Sequence, residues 1–121
     1  MDNQGATARI LYEAVIGGFL TELNDAFKLR LTEVILAPGG SMNLHRHAGP
    51  GIRRVTFGRL ERVSAAMTRS YEAGENFFDA GDESRSLRNG GTGSCQFLLF
   101  EILPKDFSGL TFKNGPEARD R

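Results

Sequence analysis

The sequence predicts an all-β fold, a small sandwich or barrel. Three observations carry this reading. Short stretches with apolar–polar alternation follow one another at roughly 8–12 residues. Turn-rich segments separate them at 37–40, 48–51, 73–74 and 89–91. No stretch keeps a long helical period, and no repeat or low-complexity segment breaks the pattern. The 121 residues suit one domain with one core, and no linker divides them.

Each element has its own reason. Residues 1–6 are expected to be loose. Residues 9–16, RILYEAVI, read as a strand, with helix as the alternative, and Gly17-Gly18 ends it. Residues 19–25 read as a short strand or turn. Residues 28–36, KLRLTEVIL, alternate well and run into Ala37-Pro38-Gly39-Gly40, a strong turn signal. Residues 41–47 form the next strand. After the turn at 48–51, two strands at 52–57 and 59–64 hinge at Gly58. Residues 65–67 turn the chain towards 68–71. Residues 76–78 are a short strand and 79–83 a loop. Residues 85–88 form a strand closed by Asn89-Gly90-Gly91. Residues 95–103 carry apolar side chains on both faces at 97–100, which predicts a strand buried on both sides. The polar segment 104–121 reads as a tail packed against the body or a partner subunit. The expected layout is thus one domain over 1–121, with a barrel core at about 28–103, N-terminal strands in 9–25 and the tail.

Composition narrows the function. Hydrophobic residues make up 40%, as in a globular chain. Zero formal net charge argues against nucleic acid or an anionic membrane as partner. The charge is unevenly spread. Residues 46–69 hold six arginines and one acid, Glu61, whereas 72–83 hold five acids and no base. Two solvated faces, or strands paired across a hairpin, account for this. The lone Cys95 excludes an internal disulfide and reads as a small buried hydrophobe. Without a cysteine framework or an N-terminal signal pattern, a cytoplasmic setting is expected. No stretch has the length of a transmembrane helix.

The two histidines, His45 and His47, are the only ones in the chain. In a strand, period two puts both on one face, together with Asn43. Gly39 precedes His45 with five residues between, and Gly58 lies eleven residues after His47. This spacing resembles the first motif of the cupins, small jelly-roll β-barrels: Gly, five residues, His-x-His, three or four residues, Glu, six residues, Gly. Every landmark is in register except the glutamate, where this chain has Gly51. The second cupin motif places a histidine between a glycine and an asparagine. Counting from Gly74 and back from Asn89 both reach Arg85, whereas counting from Gly81 reaches Ser84. Arg85, which alternation puts on the face of Leu87, is the choice.

The resemblance spans about residues 28–103. It implies an all-β, single-domain jelly-roll barrel, a small-molecule ligand in its mouth, and often a homodimer. A typical metal-dependent cupin resembles a three-histidine, one-carboxylate site for Fe, Mn, Ni or Zn. Such ions need donors at about 2.0–2.2 Å. Here glycine supplies no donor, and a guanidinium stays protonated and repels a divalent cation. The expectation is therefore a degenerate metal site and no cofactor. The alternative is one divalent transition metal on His45 and His47, with Glu83 (or Asp82 or Asp79) as substitute carboxylate.

Without metal, a fixed positive charge at Arg85 would keep the histidines neutral, ready to act as base and then as acid. Arg85 would also bind a carboxylate or enolate oxygen. His45, His47 and Arg85 are thus the candidate catalytic residues. Asn43, Arg53, Phe57, Arg85 and Leu87 are candidates for substrate contact. This set suits an isomerase, cyclase or dehydratase acting on a small anionic or carbonyl-containing metabolite. Two other readings stay open: a metal-dependent dioxygenase or epimerase-like enzyme, and a non-catalytic binding or regulatory module. So do plainer roles. The histidines could be packing relics, Arg53 and Arg54 could face solvent or a partner strand, Arg85 could pair outward with Glu83, and Phe57, Phe77, Phe97 and Phe100 could be core.

Overall fold

The computed structural model describes residues 4–43, 50–80 and 86–111. Among them are eight strands and no helix: β1 (Gln4–Val15), β2 (Phe27–Asn43), β3 (Gly51–Phe57), β4 (Arg59–Val63), β5 (Thr68–Glu72), β6 (Asn76–Asp79), β7 (Ser86–Asn89) and β8 (Cys95–Pro104). All the pairings are antiparallel, in the order β5-β4-β7-β2-β8-β3-β6, with β1 added to β2. The sheet curls into a nearly closed barrel. Its two ends, β5 and β6, leave a seam.

Strand β2 is the frame of the barrel. Its alternation points Lys28, Arg30, Thr32, Val34 and Leu36 inward. The turn expected at residues 37–40 is instead a corner within the strand. There β2 leaves β8 at the Leu36–Cys95 pair and joins β7 at Ser41–Arg88. The Asn89 amide holds the corner, donating to the carbonyls of Leu36 and Ala37 at 3.2 Å and of Gly93 at 2.6 Å. Pro38 and Gly39 bend the strand, but these bonds and the flanking ladders keep it running.

Gly58 hinges β3 to β4 as expected. Its φ is 80°, and a Cβ there would collide with the Ser94 carbonyl, so only glycine fits. Residues 4–6, expected to be loose, already pair within β1. Residues 19–25 form turns rather than a strand, closed by a bond from Asp25 N–H to the Ile16 carbonyl at 2.9 Å.

Strand β8 departs from its expectation. It is not buried on both faces. Cys95, Phe97, Leu99, Glu101 and Leu103 point inward, while Phe100 is 43% exposed. The reason is that the outer face of this sheet carries no covering layer among the described residues. Directly paired positions set an apolar row across it: Phe78 on β6, Ile52 on β3, Phe100 on β8, Leu31 on β2 and Tyr12 on β1. Phe57, another candidate core aromatic, is 56% exposed as well. Phe77 and Phe97 are buried as expected.

The apolar core gathers around Val34, Leu36, Met42, Val55, Leu60, Leu87 and Phe97. Burying each such side chain contributes about 1.5–3 kcal/mol. Residues 105–111 pack against the body, as one of the two readings of the tail expected. Lys28 Nζ donates to the Phe107 carbonyl at 2.8 Å, and Arg30 Nη1 to the Gly109 carbonyl at 2.6 Å.

Candidate functional site

His45, His47, Asp82, Glu83, Ser84 and Arg85 lie outside the described residues. Five other candidates lie within them: Asp79 meets Arg53, but the barrel does not bring Asn43, Arg53, Phe57 and Leu87 together. Asn43 accepts a hydrogen bond from Ser86 Oγ at 2.6 Å, and the two residues are cross-strand partners. The next pair, Met42–Leu87, points into the core, so Asn43 and Leu87 occupy opposite faces. Phe57 sits on the outside, beside Gly58, Arg59 and Glu72. Arg53 is fully buried, whereas Arg54 is exposed and bonds Asn76 at 3.1 Å.

Period two from Gly51 explains why Arg53 points inward with Val55. Its guanidinium lies 3.7 Å from Asp79 and 3.9 Å from Glu101, both buried. Thr111 Oγ1 donates to Glu101 Oε2 at 2.7 Å. Burial lifts the Glu101 carboxyl above the ordinary glutamate value; Arg53, the Thr111 hydroxyl and Arg30 pull it back, and burial prevails. Beyond this cluster lie Arg30 and Lys28, which meet Glu13 at 2.6 and 3.2 Å. The hydrogen bond from Arg30, with that from Lys28, holds the Glu13 carboxyl below its usual range. One end of the barrel interior is therefore a layer of paired charges, capped by residues 107–111.

Gly51 adjoins this layer. A Cβ built there would collide with the Phe100 carbonyl and would stand 2.6 Å from Arg53 Nη1. The position that carries a carboxylate in the first cupin motif thus has no donor and no room for one. A guanidinium fills the space beside it. Arg53, with Asp79 and Glu101 around it, occupies this end of the interior.

A second feature was not legible as a site. Arg62 on β4 stands directly opposite Arg69 on β5, and opposite Leu87 on β7. Both arginines line a cavity of about 410 Å³ at the seam, with Ser64, Met67, Tyr71, Phe77 and Phe78. Tyr71 and Phe77 stack across the seam with ring centroids 4.4 Å apart, and Arg62 Cζ lies 5.1 Å from the Phe77 centroid. Phe77 also pairs with Arg53 on β3, so it stands between the seam and the buried charges. The sequence held only part of the signal, because the opposition depends on hairpin register. With strands at 59–64 and 68–71, a tight turn through 64–67 sets residue 62 against 69.

Comparison with solved structures places this architecture. The chain superposes on a polyketide cyclase, RemF, from Streptomyces resistomycificus with a TM-score of 0.64 and 22% identity, covering 96% of this chain and 76% of that one. It matches the cupin domain of an XRE family transcriptional regulator from Enterobacter cloacae with a TM-score of 0.63 and 22% identity, covering 83% and 97%. A cupin domain from Bordetella pertussis matches with a TM-score of 0.60 and 20% identity, covering 84% and 97%. Comparison with protein-family models and with curated proteins gives no match. The molecule is a nearly closed antiparallel β-barrel. The fold is that of a cupin, as the spacing of Gly39, His45, His47 and Gly58 implied.

Proposed function

We propose that this chain binds a small anionic or carbonyl-containing metabolite in its barrel, without a complete metal site. The observation that supports this best is the Arg53 guanidinium beside Gly51, where the motif expects a carboxylate. His45, His47 and Arg85 enter from the motif count and not from strand phase, since Asn43 and Leu87, the neighbours that alternation gave to the histidines and to Arg85, lie on opposite faces. In this reading a neutral histidine takes a proton next to a carbonyl and returns it elsewhere on the same molecule. Arg85 stabilises the enolate oxygen formed between the two steps. The reaction classes are isomerisation, cyclisation and dehydration. Fold neighbours that include a polyketide cyclase and a transcriptional regulator domain are compatible with either catalysis or ligand sensing.

The test is calorimetric titration of chelator-treated protein with small enolisable carboxylates. Saturable binding without metal is expected, weakened about tenfold in Arg85→Gln. Binding or turnover that returns only on adding Fe, Mn, Ni or Zn would favour the metal-dependent reading instead. Tight binding with no turnover would select the non-catalytic module.

A homodimer belongs to the same proposal. Two features support it: the exposed outer row of Tyr12, Ile52, Phe78 and Phe100, and strand β1, which among the described residues pairs only with β2. A contiguous apolar sheet face is a common site of self-association.

A further inference from the structure

We propose that the seam cavity between β5 and β6 is the port for a planar aromatic or conjugated anion, held by Arg62 and Arg69 and stacked on the Tyr71 ring, which Phe77 backs. The inference deepens the proposed function, because it names the ligand class that the barrel takes. Two like charges directly opposite on one sheet face destabilise each other. Other arginines of this region avoid that cost. Arg59 faces the Glu72 carboxylate at 3.4 Å, and Arg88 bonds Glu61 at 2.6 Å. Arg62 and Arg69 face one another instead, and among the described residues neither makes an ion pair. An anion between them would relieve the repulsion and accept hydrogen bonds from both guanidinium groups.

The remaining lining decides which anion. The stacked Tyr71–Phe77 pair is a flat apolar wall with a cation already set against it. A planar ring can extend this stack, with Met67 adapting to its edge. Ser64 adds a hydroxyl at the rim, although it already donates to the Met67 carbonyl at 3.1 Å. A cavity of about 410 Å³ suits one or two fused rings with a carboxylate. A small aliphatic acid would satisfy the arginines and leave the aromatic wall uncovered.

The experiment uses the full chain and three probes: 2-naphthoate, its neutral counterpart naphthalene-2-methanol, and acetate. Calorimetry should show one saturable site per chain for 2-naphthoate, binding about tenfold weaker for the neutral alcohol, and no saturable binding of acetate. Arg62→Gln and Arg69→Gln should each weaken 2-naphthoate about tenfold, and Tyr71→Leu should weaken it without restoring a preference for acetate. Arg69 is exposed, so its variant serves as the one expected to keep the wild-type melting temperature. Binding unchanged in both arginine variants but lost in Arg85→Gln would overturn this site and leave the proposed barrel function standing. Acetate binding as well as 2-naphthoate would overturn the aromatic class. Failure of 2-naphthoate to bind would overturn the seam site, while saturable binding of small enolisable carboxylates would still support the proposed function.

Discussion

Arg53 Nη1 stands 2.6 Å from the point where a side chain on Gly51 would begin. The two residues share the inner face of β3, and each explains the other. A glycine leaves the space that the guanidinium uses, and the guanidinium brings a positive charge to a place where the motif carries a negative one. Asp79 and Glu101 then balance it. A buried cation of this kind is stable only with such partners around it.

Restoring a side chain at position 51 should therefore destabilise the fold. Gly51→Ala drives a Cβ into the Phe100 carbonyl, which is backbone on a central strand and cannot turn aside. A loss of about 1–3 kcal/mol in urea unfolding is expected. Adding Arg53→Met should not rescue it, since the backbone clash remains. Unchanged stability in Gly51→Ala would mean that β3 lies further from β8.

Glu101 sets a pH dependence whose sign follows from its raised value. The folded state holds the proton more tightly than the unfolded chain. The stabilisation is complete below the ordinary glutamate value of 4.5 and is lost as pH rises through the higher folded value. Glu13, held low by Arg30 and Lys28, works the other way: its contribution is present above 4.5 and is lost as pH falls through its lowered value. Unfolding curves collected from pH 4 to pH 8 should show a flatter decline towards neutrality in Glu101→Gln than in the parent chain. A decline of equal slope in both would place the titrating group elsewhere.

Cys95 should be chemically silent in the folded protein. Burial pushes its thiol up to about 11, so almost no thiolate exists at pH 8. A disulfide reagent should react with one thiol per chain only after unfolding. Rapid labelling of the native protein would show that the β8 end of the core opens.

Much of the fold was readable in the sequence, and the particular departures have physical causes. KLRLTEVIL alternates because one face of β2 meets the interior. The same alternation was hidden in CQFLLF, where outward Phe100 looks like core because it joins the exposed row of Ile52 and Phe78. Pro38 and Gly39 read as a turn because local chemistry cannot show that Asn89 would hold the corner. The motif spacing located the barrel. It did not show that Arg53 is buried and Arg54 exposed, since two adjacent arginines look alike until strand phase is fixed. The opposition of Arg62 and Arg69 depends on hairpin register, which a sequence leaves open by one or two residues.

The outer row of apolar residues supports a dimer that can be broken by one charge. Phe100→Glu, on a central strand but outward-facing, should convert a dimer into a monomer in light-scattering measurements while leaving the barrel folded. A parent chain that is monomeric at about 100 μM would remove this face as a self-association surface.

In the proposed function, a guanidinium stands where a metal site would carry its carboxylate. Elemental analysis of protein purified without chelator or affinity tag tests it most directly. Transition metal well below one equivalent per chain, unchanged by His45→Ala, is expected. One equivalent of Fe, Mn, Ni or Zn, lost together with ligand binding in His45→Ala, would contradict it.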